Sequence, residues 1–213
     1  MPPKSPATSL RPRRRYHHGN LRTALIEAGL QLIEEKGVRA LTLREIAARV
    51  GVSRMAPYRH FPTKEHLLAA ISEAGFEQFR ETLEGARQSV SPDFRARLAA
   101  MGLAYVRFAT EHRAHFEVMF SAIDTGTDRK ISVAGQRAFA VLEETIREAQ
   151  SRGEVRSGDS VLLAELAWST IHGISVLGLG TDSLTPGRTT DLVETCSEVL
   201  RTGFEPRPVC AGK

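Results

Sequence analysis

The sequence predicts an all-α fold, and three observations support this prediction. Apolar residues recur at helical spacing along most of the chain, helix-capping residues stand ahead of these stretches, and no stretch of useful length alternates apolar and polar residues as a strand does. The composition, with 41% hydrophobic and 25% charged residues over 213 positions, is ordinary for a globular protein that buries a sizeable core.

Residues 1–18 are rich in Pro, Ser, Arg and Lys and contain almost no side chain that a core would bury, so we expect a flexible arm. The first 22 residues carry six basic side chains and no acidic one. Because the net charge of the whole chain is only +4, the basic excess lies entirely in this segment. Such an arm either contacts nucleic-acid phosphates or a minor groove, or remains a solvated tail.

The first predicted helix begins after Asn20, which can cap it, and ends at Gly37. A second helix follows, in which Thr42 and Glu45 form a capping box and Gly51 takes the left-handed conformation that ends a helix. Ser53 can cap a short third helix that tolerates a proline only in its first turn. Two short helices joined by a tight turn predict a helix-turn-helix over residues 42–61.

The helix that follows the turn is basic. In a helix-turn-helix this helix lies in the major groove, so its charge predicts double-stranded DNA as a partner. Arg54 can pair with a guanine, while Ala56 and Pro57 can pack on thymine methyl groups. The alternative is a structural hairpin with a solvated basic face. The candidate DNA-binding residues, for base edges or phosphates, are Thr42, Arg44, Ser53, Arg54, Met55, Ala56, Pro57, Tyr58, Arg59, His60 and Lys64.

The remaining chain is predicted to be helical throughout. In Ser91-Pro92-Asp93 a proline stands at the first helical position with an acid in the first turn. The predicted helices cover about 63–88, 92–110, 113–121, 130–152, 159–179 and 188–204. We expect an arm over 1–18, a DNA-binding domain over 19–66, a larger helical domain over 67–205 and a tail over 206–213.

A cluster of apolar and aromatic side chains near the join of two of these helices predicts a pocket for a small, largely apolar ligand. A stripe of Met and aromatic residues at helical spacing is also typical of plain core. His112 and His115 are too few for a structural zinc site, so we expect no metal and no cofactor. The candidate ligand-binding residues are Met101, Tyr105, Phe108, His112, His115, Phe116, Met119, Phe120, Trp168 and His172.

The motifs over 20–37 and 42–61, with Lys64-Glu65 opening the next helix, resemble the N-terminal domain of the TetR-type transcriptional regulators. Ala167-Trp168 and His172-Gly173 are also similar to the Trp-His-Gly pattern of one C-terminal subgroup. The resemblance implies a homodimeric, all-α repressor with a ligand-binding C-terminal domain, released from a palindromic operator by its ligand.

The resemblance also implies that the last two helices pair with those of a second subunit in a four-helix bundle. The alternative is that their apolar stripes pack only within one chain. The candidate interface residues are Leu166, Ile174, Leu177, Leu192, Val193, Cys196, Val199 and Leu200.

Other classes of protein are poorly supported. The sequence has no P-loop, nucleophile elbow, dinucleotide-binding fingerprint or zinc-protease motif, so an enzyme or carrier with a non-functional hairpin is the weaker alternative. Polar residues interrupt the most apolar stretch, 161–179, which predicts a buried core helix and no membrane span. Cys196 and Cys210 form no metal-type pair, and we expect a cytoplasmic protein.

Overall fold

The computed structural model describes residues 21–121, 132–180 and 185–206. Helices make up most of these ranges, and no strand occurs in them, so the predicted all-α class is confirmed. The helices within these ranges are α1 Leu21–Lys36, α2 Leu43–Val50, α3 Lys64–Gln88, α4 Phe94–Glu111, α5 Arg113–Phe120, α6 Val133–Ser151, α7 Ser160–Gly180 and α8 Pro186–Phe204. The arm over 1–18, the cap at Asn20, Cys210 and most of the tail lie outside the described residues.

The predicted start of α4 was wrong in the roles of two residues. Asp93, which we expected inside the first turn, is the residue that caps the helix, and its side chain accepts a hydrogen bond from the Ala96 backbone N–H at 2.9 Å. Pro92 therefore lies before the cap and not at the first helical position. The first backbone N–H groups of a helix have no partner within the helix, and a carboxylate at the capping position can accept a hydrogen bond from one of them. Asp93 is therefore better suited than Pro92 to the capping position.

The chain packs around two hydrophobic cores that meet along α3. The N-terminal core holds α1, α2 and the first part of α3 up to Ile71, and the C-terminal core holds the remainder of α3, from Phe76, with α4, α6, α7 and the end of α8. The division in packing therefore falls inside α3, between Ile71 and Phe76, and the domain boundary between residues 66 and 67 stays a prediction. A continuous helix that belongs to both cores links their positions rigidly.

Helix α5 also contributes to both cores. Ala114 and Val118 pack in the N-terminal core, whereas Phe116 and Met119 pack in the C-terminal core. Opposite faces of one short helix therefore contact the two units, so a displacement of α5 changes the packing of both cores.

The second helix of the predicted helix-turn-helix is not a regular α-helix. Residues 54–56 form a turn, and Pro57–Arg59 forms a single turn of 3-10 helix. Pro57 has no N–H, so the Ser53 carbonyl cannot accept the bond from residue 57 that an α-helix needs, and it accepts from the Ala56 N–H at 3.0 Å instead. The proline that we considered just compatible with an α-helix thus tightens its first turn.

Helix α7 is only partly buried by its own chain. It is the one helix in the described ranges that is long and apolar enough to cross a bilayer by length and composition, a property that core helices of soluble proteins share. Only 28% of its most apolar window is buried, so the prediction of a buried core helix was wrong for most of α7. Its exposed side includes Leu162, Leu166 and Val176, which require another surface to cover them.

Candidate DNA interface and ligand cavity

The turn between α2 and the following segment has the geometry that the sequence predicts. The Thr42 hydroxyl accepts a hydrogen bond from the Glu45 N–H at 3.2 Å, and Gly51 is left-handed with φ of 78°. The Glu45 carboxylate does not complete the capping box but pairs with Lys36 at 2.5 Å. The end of α1 is thus tied to the start of α2, which fixes the orientation of the turn.

A second ion pair ties the same two helices. Arg49 donates to both carboxylate oxygens of Glu35, at 2.8 and 2.5 Å, and hydrogen bonding to Arg49 lowers the pKa of this carboxyl. Both side chains are solvent-accessible, so the pair adds little stability. It does, however, neutralise one arginine beside the turn and leave the others free.

Three arginines around the turn are exposed and have no partner among the residues that the structure describes. Within the part of the chain that the structure describes, the side chains of Arg44, Arg54 and Arg59 make no ion pair or hydrogen bond. Met55 is 67% exposed and Tyr58 is 44% exposed beside them, and His60 is exposed as well. Unpaired guanidinium groups and exposed side chains beside a helix-turn-helix are suited to phosphates and base edges.

Two predicted DNA contacts are placed differently by the structure. Pro57 is buried, because it packs the 3-10 turn onto the N-terminal unit, so its predicted contact with a thymine methyl group was wrong. Lys64 is half-buried, and its ammonium donates to the carbonyls of Val38 and Arg39 at 2.9 and 3.3 Å. Its charge is used to hold the α1–α2 connection onto the start of α3. Thr42 and Ser53 are exposed, and Ala56 is half-buried.

Arg22 lies at this surface although we had assigned it only to the basic N-terminal segment. Its guanidinium lies over the Phe61 ring, 5.5 Å from the centroid, and the His60 ring lies 6.5 Å from the same ring. Phe61 is buried, so it holds Arg22 in place by a cation–π contact. The sequence shows Arg22 only as a basic residue in the first turn of α1. No sequence pattern predicts its contact with Phe61.

The C-terminal unit contains a cavity between α4, α7 and α8. Its cavity volume is about 40 Å³, and the whole empty space of the pocket, which includes open solvent, is about 460 Å³. The lining is Leu83 from α3, Leu98, Met101, Gly102 and Tyr105 from α4, Leu142 from α6, Ala167, Trp168, Thr170 and Ile171 from α7, and Val193, Cys196, Ser197 and Leu200 from α8.

Three of the predicted ligand-binding residues, Met101, Tyr105 and Trp168, line this cavity. The structure places the others beside it, in packed rings or on its far side. Phe116 stacks on His172, Phe120 packs at a tilt against both rings, and Phe108 packs on Phe79 at 4.9 Å between ring centroids. The predicted lining positions that the structure does not bring to the cavity are Phe108, His112, His115, Phe116, Met119, Phe120 and His172.

His172 nevertheless acts on the cavity through Tyr105. The Tyr105 hydroxyl lies 2.9 Å from His172 Nδ1. Burial lowers the pKa of His172 and raises the pKa of Tyr105, so both groups are neutral and we assign the hydroxyl as the donor. Burial also lowers the pKa of His115, and the neighbouring His112 lowers it further.

The histidines are not part of a metal site in the described residues, where no group of three metal-ligating side chains occurs. His112 bonds instead with the Gln78 amide at 3.2 Å, which joins α4 to α3. His115 packs against Gly75, where a Cβ atom would lie 3.1 Å from its ring. Both rings therefore serve packing at the joint of α3, α4 and α5.

The predicted interface residues divide into two groups. Leu166, Leu177 and Val199 are exposed. Ile174 and Val193 are buried within the chain, whereas Cys196 and Leu200 are half-buried and line the cavity. Leu192 is half-buried. Leu162 and Val176 are exposed on α7, and the sequence analysis missed them.

The comparisons with known proteins agree with this arrangement. Residues 25–71 match the family model of bacterial regulatory proteins of the tetR family, and residues 98–200 match the tetracyclin repressor-like C-terminal domain. Among relatives, the nucleoid occlusion factor SlmA of Marinobacter nauticus is 28% identical over 64% of this chain and 70% of its own length. The class C tetracycline repressor of Escherichia coli is 43% identical over 25% of this chain and 24% of its own.

Solved structures show the same fold over nearly the whole chain. A protein of unknown function from Rhodococcus sp. RHA1 is 33% identical, with a TM-score of 0.79 over 90% of this chain and 99% of its own. FadR of Bacillus subtilis, in complex with stearoyl-CoA, is 20% identical, with a TM-score of 0.73 over 86% of this chain and 99% of its own.

Both units of the chain are therefore accounted for: a helix-turn-helix with unpaired arginines and a helical unit with a cavity, each matched by its own family model. The chain belongs to the TetR family of bacterial transcriptional regulators, which are DNA-binding proteins and not enzymes.

Proposed function

We propose that this protein is a homodimeric repressor that binds a palindromic operator and releases it when a small, largely apolar ligand enters the C-terminal cavity. The observation that carries the proposal is the set of exposed, unpaired arginines Arg44, Arg54 and Arg59 around one turn. A protein whose hairpin had only a structural role gains nothing from leaving these charges unpaired, whereas a DNA-binding surface requires it.

The exposed residues are assigned by their place in the hairpin. Arg54, Met55 and Ala56 lead the segment that enters the major groove, so they contact base edges. Thr42 and Arg44 lie at the start of α2, where backbone N–H groups favour a phosphate. Ser53, Tyr58, Arg59 and His60 flank the groove and contact the backbone, and we add Arg22 to them because Phe61 holds it beside His60.

A dimer is needed because one short hairpin reads too few base pairs to select a site. A two-fold axis places two such hairpins about 34–36 Å apart on one face of B-DNA. The exposed apolar side of α7, with Leu162, Leu166 and Val176, is a surface that a second copy covers. Val199 on α8 extends it.

Ligand and DNA act on the same element. The cavity includes Leu83 of α3, and the N-terminal core includes Leu67, Leu68 and Ile71 of the same helix. A ligand that shifts α3 changes the separation of the two hairpins, and the binding of each partner then weakens that of the other by the same free energy. We place the protein in the cytoplasm, where its operator lies.

The test is a selection from a pool of random duplexes with the full-length protein, followed by anisotropy titrations at about 50 and 200 mM salt. We expect enrichment of a palindromic site and a steep salt dependence of its affinity. The variant Arg54→Ala should lose discrimination at one base pair in each half-site. If no sequence is enriched, the proposal of operator binding is wrong.

A further inference from the structure

The lining of the cavity carries chemical information about its ligand, provided that the proposed ligand-responsive function holds. None of its fourteen lining residues is charged. An ionised group that entered would lose its hydration without gaining a counter-charge, at a cost of several kcal/mol. The cavity therefore selects against carboxylates, phosphates and ammonium groups at the position of the lining.

The charged residues next to the lining are already neutralised. Arg87, one turn beyond Leu83, lies within 4 Å of Glu84, Glu144 and Glu148. Arg201, which follows Leu200, pairs with Glu198 and Glu205, and Arg95 lies 3.6 Å from Glu198. An anionic headgroup that reached outward would therefore meet these carboxylates as well as the arginines.

Three polar groups of the lining make no hydrogen bond within the described residues, namely the Ser197 hydroxyl, the Trp168 indole N–H and the Cys196 thiol, and of these the Ser197 hydroxyl lies beside Gly102. The Tyr105 hydroxyl bonds to His172, and the Thr170 hydroxyl donates to the Leu166 carbonyl at 2.8 Å. The Ser197 hydroxyl has no partner within the described ranges. A half-buried hydroxyl gains from a ligand that completes its hydrogen bonding.

Gly102 sets the width of the cavity beside Ser197. A Cβ atom at Gly102 would lie 3.1 Å from Val193 Cγ1, 3.6 Å from Ile171 Cδ1 and 3.6 Å from Ser197 Oγ. Glycine at this position therefore lets α4 approach α8 closely beside Ser197, where a side chain would press on Val193. Because the pocket is partly open to solvent, a ligand larger than the cavity volume of about 40 Å³ extends towards its mouth.

We infer that the effector is an uncharged, mainly hydrocarbon molecule with one hydrogen-bonding group, which is held in the cavity by Ser197, beside the close approach of α4 to α8 at Gly102. Such a cavity binds a neutral alcohol, ketone or ester more tightly than the fatty acid or acyl-CoA of the same chain length.

Trp168 makes the inference measurable, because it is the only tryptophan of the chain and lines the cavity. The full-length protein, without DNA, is titrated with 1-octanol, octanoate and octanoyl-CoA at about pH 8, where the carboxylate is ionised, and Trp168 fluorescence is followed. We expect octanol to bind at least about tenfold more tightly than either anion. That ratio corresponds to about 1.4 kcal/mol.

Two variants locate the binding. Ser197→Ala should weaken octanol binding about fivefold, which is the effect of one hydrogen bond. Gly102→Ala should also weaken it, because the added methyl group presses on Val193 and displaces the cavity wall. Gly203→Ala is the matched control, because a Cβ atom at Gly203 meets nothing within 4 Å. A circular dichroism melt of each variant shows that it is folded.

The inference is overturned if octanoate or octanoyl-CoA binds as tightly as octanol, if none of the three binds, or if octanol binding is unchanged in Gly102→Ala. Operator binding by the ligand-free protein is measured separately by anisotropy. Failure there contradicts the proposed function, whereas failure of octanol with intact operator binding contradicts only the ligand class.

Discussion

Replacing Lys64 by Met distinguishes a structural role of this lysine from the phosphate contact that its position in the motif suggests. Its ammonium donates to the carbonyls of Val38 and Arg39. A hydrogen bond to a charged group contributes about 1.5–3 kcal/mol, and because the site is half-exposed we take about 1.5 kcal/mol for both together. For a chain of this length that corresponds to a decrease in Tm of about 3–6 °C.

The assay combines a thermal melt with the salt dependence of operator affinity. Met keeps the apolar stem of Lys, so the loss isolates the ammonium. We expect the lower Tm together with an unchanged salt slope. The matched control is Arg44→Met, in which an exposed, unpaired charge is removed: its Tm should stay the same, and the salt slope should fall by about 0.9 for each phosphate that is no longer neutralised. An unchanged Tm with a reduced slope in Lys64→Met would refute the structural assignment.

Three further predictions concern the DNA surface, the dimer and pH. Arg54→Ala should cost about 1–3 kcal/mol per half-site and relax one base position in a selection; a uniform loss over all sequences contradicts the base contact. Leu166→Ala should weaken the dimer about 30-fold in sedimentation equilibrium, because Leu166 is 50% exposed and about 1 kcal/mol of its burial is lost in each protomer. Val133→Ala on α6 is the control, and equal effects exclude an α7 interface. Burial lowers the pKa of His172 in the folded chain. As pH falls below about 6.5, His172 is therefore protonated in the unfolded chain before it is protonated in the folded chain. Stability should therefore decrease on acidification and decrease less in His172→Gln, as thermal melts at several pH values will show; identical profiles contradict this.

The elements that the sequence predicts correctly are those determined by local chemistry. The Thr42 cap and the left-handed Gly51 depend on residues within one helical turn, so the sequence contains all the information. The segment after Ser53 required a finer argument. Pro57 removes one backbone donor, and this single loss converts the expected α-helix into a turn and a 3-10 turn.

The division of the apolar side chains of α7 and α8 could not be predicted from the sequence. Helix α7 is apolar on several faces, so its sequence does not show which face packs inside the chain. The apolar stripe on α8 is equally suited to line a cavity or to contact a second subunit. The close approach of α4 to α8 at Gly102 turns Val193 inward and leaves Val199 outside. That contact joins residues far apart in the chain, so no local sequence pattern predicts it.

The same kind of contact at Gly75 provides a test of how the two units communicate. A Cβ atom at Gly75 on α3 would lie 2.7 Å from Met119 Sδ and 3.1 Å from the His115 ring on α5. The glycine therefore sets the spacing of the two helices that enter both cores. Gly75→Ala forces them apart or displaces Met119, at a cost of about 1–3 kcal/mol.

If the spacing of α3 and α5 determines the separation of the two hairpins, Gly75→Ala should change operator affinity although Gly75 lies far along α3 from the DNA surface. The salt slope should stay the same, because every phosphate-binding side chain is retained. Gly85→Ala on the same helix is the control, since a Cβ atom there meets nothing within 4 Å and the gain in helix propensity is the same. Equal operator affinity in the two variants would show that α3 and α5 do not transmit the signal. Because Gly75→Ala is also expected to lower Tm, affinity is measured at a temperature at which circular dichroism shows both variants to be fully folded. A lower affinity of Gly75→Ala than of Gly85→Ala at that temperature is the result that the shared packing of α5 predicts.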